Sequence, residues 1–201
     1  MIASVLTLSF SDCKAHRITD PYSVHRTVYS LFPKTDEGGR DFLFADKGGG
    51  FNRRRILILS KRRPLRPEYG SIESREIPKS FLEGNCYGFE IRLNPVKREK
   101  GGGKIVPVRG RENLLEWFRA KSESWGFAVD RESQQIQSSG IQSFEKQDRQ
   151  VTQNAATFTG ILKVKDRPLF IKSFEEGIGR GKSFGFGLLE IVPLREQHQS
   201  R

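Results

Sequence analysis

The chain holds three histidines in 201 residues, and one stands where an imidazole could move protons. His25 falls in Pro21-Tyr22-Ser23-Val24-His25-Arg26, with Tyr22 three residues before it and Tyr29 four residues after. On a helix these spacings bring both phenol rings beside the imidazole. Imidazole is the group whose ordinary pKa suits proton transfer near neutrality. His25 also lies at the edge of an apolar stripe of Val24, Val28, Leu31 and Phe32, and a lone histidine there is commonly a satisfied boundary residue. Its place next to Arg26, in a chain of net charge +11, favours a chemical role. His16 falls in an expected loop and His198 in a polar tail, and neither is read as functional.

The charge is unevenly spread. Phe51 to Pro67 contains no acid, but has Arg53, Arg54, Arg55, Lys61, Arg62, Arg63 and Arg66. Between Arg92 and Arg111 only Glu99 interrupts Lys97, Arg98, Lys100, Lys104 and Arg109. Such runs neutralise phosphates and release counterions. One run alone usually means a solvated face, whereas two on a chain this basic point to nucleic acid. An anionic membrane is the other polyanion to consider. No stretch is long and apolar enough to span a bilayer, and no basic amphipathic helix leaves an apolar face for lipid. No membrane partner is expected.

Gly177, Gly179, Gly181, Gly185 and Gly187 surround Lys182-Ser183. A P-loop would need a glycine at position 176, which is Glu176, and a strand before it where a helix is expected. Lys182 occupies the place of the third glycine of a dinucleotide fingerprint. A helix cap and tight turn would explain Gly177 alone. Five glycines with Arg180 and Lys182 suit a backbone that lies close against RNA or against the first half of the chain. Cys13, Cys86 and the scattered histidines have no metal-ligand spacing, so neither a metal nor a cofactor is expected. Two cysteines without a disulfide framework suit a reducing, cytoplasmic setting. The apolar Met1 to Phe10 lacks a basic leader and a good cleavage site, so it is read as structure.

The elements that must position these residues follow from patterning. Ile2 to Phe10 reads as a strand, and Asp20-Pro21 caps a helix that Pro33 ends. Asp41 to Ala45 and Arg55 to Ser60 read as strands around a Gly48-Gly49-Gly50 loop. A proline-rich stretch follows, expected as a short helix or loop and then an edge strand. In the second half Tyr87 to Leu93 alternates as a strand, and Leu114 to Phe118 mark a helix closed by Gly126. Phe127 to Arg131 alternates again. The polar region Ser133 to Gln153 predicts a long hairpin or mobile loop. Phe158 to Lys165 is a strand, Asp166 and Pro168 open a helix, and Phe184 to Val192 is the last strand. The second half thus reads βαββαβ, the ferredoxin-like order, and the first half fits it less well. The expectation is an α+β protein of two tandem ferredoxin-like (βαββαβ) domains, 1–84 and 85–194, with a polar tail at 195–201.

Gly177-Ile178-Gly179-Arg180-Gly181-Lys182-Ser183-Phe184-Gly185-Phe186-Gly187-Leu188-Leu189 resembles the C-terminal glycine-rich signature of the CasE (Cse3) family, the guide-processing nucleases of type I-E CRISPR systems. Pro21 to Arg26 resembles that family's helix with its catalytic histidine. Arg40-Asp41-Phe42-Leu43-Phe44 and Arg92-Leu93-Asn94-Pro95-Val96-Lys97 match further family segments. The similarity spans nearly the whole chain, except Ser133 to Gln153. It implies metal-independent cleavage of a precursor CRISPR RNA at the base of a repeat stem-loop. It also implies that the mature guide RNA is kept within Cascade, beside the other Cascade subunits. The reaction implied is attack by the 2′-hydroxyl, leaving a 2′,3′-cyclic phosphate. His25 would carry a proton and Tyr22 would orient the site or stabilise charge. Arg26, Arg92, Lys97, Lys104, Arg180 and Lys182 are the expected RNA contacts. The rival reading is a non-catalytic guide-RNA-binding subunit, in which His25 is structural.

Overall fold

The computed structural model describes residues 1–33, 40–50, 53–99, 101, 103–146 and 149–194. The expected polar tail, with His198, lies outside them, as do Phe51 and Lys100 of the basic runs. The fold is mixed α and β, with antiparallel sheets.

The first half forms β1 (Ile2–Ser9), α1 (Phe10–Ala15), α2 (Pro21–Ser30), β2 (Phe42–Gly50), β3 (Arg53–Ser60) and β4 (Ser71–Glu76). These strands make one antiparallel sheet in the order β2-β3-β1-β4. α2 begins where its sequence directs. The Asp20 side chain accepts from the Ser23 amide at 2.7 Å, and the Ser23 hydroxyl accepts from the Asp20 amide at 3.0 Å. Pro21 at the first helical position has no amide to leave unpaired. Val24 and Val28 then pack on Leu6, Leu8, Ile56 and Ile58 of the sheet, so the face that carries His25 has a fixed rotation.

One expectation needs correction here. Gly48 to Gly50 is not a loop: it continues β2 through a register shift after Asp46, with Gly48 at φ +68°. Residues 61–70 take the loop alternative of the expected helix or loop, and β4 follows at the sheet edge.

The second half forms β5 (Cys86–Leu93), β6 (Val96–Arg98), β7 (Ile105–Pro107), α3 (Arg111–Ser122), β8 (Phe127–Val129), β9 (Gln135–Lys146), β10 (Arg149–Val164), α4 (Arg167–Glu176) and β11 (Leu189–Pro193). Its main sheet runs β11-β5-β10-β8, with β9 paired to β10. The polar region is therefore a long β9–β10 hairpin. β6 and β7 make a separate ribbon that the patterning did not reveal. The last strand is shorter than expected, because Gly185 and Gly187 have φ of +81° and keep residues 184–188 out of extended pairing.

One apolar core crosses from half to half. Leu43, Ala45 and Leu59 join Ile91, Leu93, Phe158, Phe174 and Ile178 within it. The glycine-rich turn is part of that junction. A Cβ on Gly177 would lie 2.7 Å from the Leu43 side chain, and one on Gly187 only 2.2 Å from the Ile178 carbonyl. The close approach of Gly177 is thus against the first half of the chain, and that of Gly187 is within the turn itself. Lys47 of β2 adds a polar tie, paired with Glu90 of β5 and Glu190 of β11.

Candidate active site

The junction delivers the glycine-rich turn to the exposed side of α2. His25, half-buried, has its Nδ1 2.7 Å from the Ser183 carbonyl oxygen. A carbonyl only accepts, so Nδ1 carries a proton and donates it. A proton exchanged by the ring would therefore pass through Nε2. The ring is held on several sides. Tyr29 lies 3.9 Å away between centroids, Tyr22 stacks at 5.6 Å with planes 13° apart, and Phe184 lies at 5.5 Å. The exposed Arg26 has its guanidinium 5.7 Å from the centre of the Tyr22 ring.

Ser183 makes two further contacts. Its hydroxyl oxygen accepts from Arg40 Nη1 at 3.1 Å and from the Tyr29 hydroxyl at 3.4 Å. Next to it, Lys182 Nζ donates to the Glu176 carbonyl at 2.7 Å. Burial pushes the Lys182 amine below its ordinary range, and the charge of Arg40 pushes the same way.

Arg92 and Phe184 line one cleft of about 300 Å³, together with Val24, Asp46, Arg54 and Gln142. Arg92 Nη2 donates to Gln142 Oε1 at 2.7 Å, and its guanidinium lies 5.2 Å from the Phe186 ring centre. Burial lowers its pKa from the ordinary value. Arg92 is therefore part of the cleft wall. Lys97 on β6 and Lys104 just before β7 are exposed on the ribbon, and Arg180 is exposed in the turn after α4.

The structure thus brings His25, Tyr22, Arg26 and Lys182 to one place, with Arg92 in the adjoining cleft that Phe184 also lines. Lys97 and Lys104 sit apart on their ribbon. Sequence reasoning missed Ser183 and Arg40 as parts of the site. Their bond spans 143 positions, and no local spacing announces it. Among the described residues no group of three or more His, Cys, Asp or Glu could hold a metal ion. Chemically, the site can exchange a proton at one fixed imidazole nitrogen next to two cations, which suits an anionic substrate.

The family described as CRISPR associated protein matches residues 1–193. The CRISPR system Cascade subunit CasE of Escherichia coli is 28% identical over 188 residues, covering 87% of this chain and 93% of that protein. The CRISPR-associated endoribonuclease Cse3 of Thermus thermophilus is 24% identical over 193 residues, covering 88% and 92%. Among solved structures, a CRISPR endoribonuclease Cse3 bound to a 19-nucleotide RNA superposes with a TM-score of 0.83 at 25% identity, covering 96% of this chain and all of the other.

Proposed function

The chain belongs to the CRISPR associated proteins, in the CasE family, and we propose that it is an endoribonuclease that matures CRISPR guide RNA. The observation that carries this reading is the His25–Ser183 bond, which holds the imidazole with Nδ1 as donor and supports Nε2 as the nitrogen that exchanges a proton. The substrate is precursor CRISPR RNA, cut at the base of a repeat stem-loop, and the mature guide stays bound to the chain within Cascade. The relatives' names, a Cascade subunit and a CRISPR-associated endoribonuclease, support the assembly and the RNA-cutting activity.

The reaction is intramolecular transesterification. The 2′-hydroxyl 5′ of the scissile phosphate is already held near phosphorus, so its attack gains from proximity and needs no activated water. Its proton leaves, the O2′–P bond forms, and the P–O5′ bond breaks. The products are a 2′,3′-cyclic phosphate and a 5′-hydroxyl. His25 Nε2 carries one of the two proton transfers, and Tyr22 orients the ring by stacking. No step calls for a metal.

The fold reading that goes with this is two ferredoxin-like modules, 1–84 and 85–194. Each sheet's strand order supports it: counting its main strands along the chain, the first runs second-third-first-fourth and the other fourth-first-third-second, the same order read from opposite edges. The first module has a loop, 61–70, where a second helix would stand. Among the described residues no helix is long and apolar enough to cross a membrane.

Incubation with a CRISPR-repeat stem-loop RNA tests the proposal. The expected result is one cut at the stem base, with the stem-loop product still bound. Tight binding of an RNA that stays intact would make the chain a guide-RNA binder instead.

A further inference from the structure

We propose that Arg40 is a second catalytic residue, one that holds a non-bridging oxygen of the scissile phosphate beside His25 and stabilises the charge that develops there. This rests on the reading of the chain as an RNA-cutting enzyme.

Three cations with partly buried side chains are paired with acids. Arg54 bonds to Asp46, Arg62 to Asp41, and Lys47 to Glu90 and Glu190. Arg40 is also half-buried, yet among the described residues no acid lies within ion-pair distance of it. Its fixed contact is with a neutral acceptor, the Ser183 hydroxyl. A guanidinium has five N–H donors in a rigid fork. Anchoring one of them to a hydroxyl orients the group while leaving its positive charge unneutralised.

Lys182 sharpens the point. It lies close enough to Arg40 for the two charges to repel, in a place where burial already disfavours the protonated amine. Two cations held together at a partly desolvated site raise the energy of the empty protein, and an anion between them removes that cost. Phosphate geometry suits the arginine fork in particular.

The third element is proximity to the imidazole. Ser183 holds His25 through its carbonyl and Arg40 through its hydroxyl. A phosphate oxygen that reaches Arg40 is therefore next to the group that moves the proton. During the reaction a base takes the O2′ proton as the O2′–P bond forms, and an acid protonates O5′ as the P–O5′ bond breaks, so no net proton is gained or lost. The phosphorus becomes five-coordinate, with extra negative charge on its non-bridging oxygens. Arg40 takes no part in the proton transfers and supplies only hydrogen bonds, which strengthen as that charge grows. Ser183 is by contrast a positioning residue.

The test is single-turnover cleavage of a CRISPR-repeat stem-loop by wild type and Arg40→Gln, with binding measured on the same RNA carrying a 2′-deoxy nucleotide 5′ of the cut. The expected loss in cleavage rate is roughly 10²–10³-fold, as for removal of one oxyanion donor, with affinity changed by less than about fivefold. Thermal melting checks that the variant is folded, and Arg40→Lys, which keeps the charge but not the fork, is expected to fall between. The decisive readout is phosphorothioate substitution of each non-bridging oxygen at the cut. Wild type is expected to be slowed by one diastereomer, and Arg40→Gln to lose that discrimination. A variant that is slow but keeps the wild-type discrimination overturns the proposal and leaves Arg40 a support for Ser183. Wild-type rates in Arg40→Gln also overturn it. If wild type itself leaves the RNA intact, the reading of the chain as a nuclease has failed.

Discussion

His25 and Ser183 are 158 positions apart, yet the imidazole Nδ1 and the Ser183 carbonyl oxygen lie 2.7 Å from each other. That bond joins the first long helix to the glycine-rich turn. It decides which imidazole nitrogen can exchange a proton, because the other must keep its hydrogen to donate. His25→Ala is expected to slow cleavage by roughly 10²–10⁴-fold. Binding should change little, since one imidazole adds little to contact with many phosphates. The same substitution at His16, which bonds the Tyr69 carbonyl at 3.2 Å, should leave the rate unchanged. Single-turnover assays on the three proteins check this. Wild-type cleavage by folded His25→Ala would remove the histidine from the mechanism.

The basic residues divide into two kinds, with different expected phenotypes. Lys97 and Lys104 are exposed on the β6–β7 ribbon, so their charges are free to meet phosphates. Each substitution to Ala should flatten the slope of log affinity against log salt by about 0.7–0.9, with the melting temperature unchanged. Arg92 is packed on Phe186 and bonded to Gln142. Arg92→Ala should lower the melting temperature by about 2–4 °C, the response to roughly 1 kcal/mol in a chain of this size. Equal salt slopes for wild type and Lys97→Ala would place the RNA elsewhere.

This division marks how far the sequence could be read. His25, Tyr22 and Tyr29 were recognisable together because one helix, with its cap at Asp20, fixes their spacing. The glycines at 177 and 187 signalled a close approach, and the structure supplies its partners in Leu43 and the Ile178 carbonyl. Arg92 and Lys97 looked alike as charges in one run, and only tertiary packing separates them. Arg40 and Ser183 both lay in segments that resemble the family's, but neither was read as part of the site, since what joins them is a bond across the junction. The β9–β10 hairpin was blurred for another reason. Beyond the sheet, its strands have few core-facing positions to alternate, as the exposed Ile141 and Ser143 illustrate.

The tie between the halves should show a defined pH dependence. Burial pushes the Glu190 carboxyl above its ordinary range, and the opposing pull of Lys47 does not cancel it. The folded chain therefore keeps this proton to a higher pH than the unfolded chain does. Its contribution to stability is fully present below the ordinary carboxylate range and is lost as pH rises through the raised value. Ionised Glu190 is then a net cost near neutrality, while Glu90 still pairs with Lys47. Glu190→Gln is expected to melt up to about 2 °C above wild type near pH 7, with the gap closing below about pH 4. A lower melting temperature at neutral pH would mean that the attraction to Lys47 outweighs burial.

The chemistry itself has a test independent of any side chain. If the nucleophile is the substrate's own 2′-hydroxyl, one 2′-deoxy nucleotide just 5′ of the scissile phosphate should abolish cutting, since no other nucleophile is held in line with the leaving oxygen. Binding should survive, because that hydroxyl is one group among many contacts. The uncut RNA should then compete with cleavable substrate at about its own binding constant. The all-RNA product should end in a 2′,3′-cyclic phosphate by mass spectrometry, and excess EDTA should leave the rate unchanged. A two-metal route would behave otherwise: it would use water, tolerate the deoxy substitution, and fail in EDTA. Normal cutting of the deoxy substrate would therefore defeat the in-line mechanism even for a chain that is a nuclease.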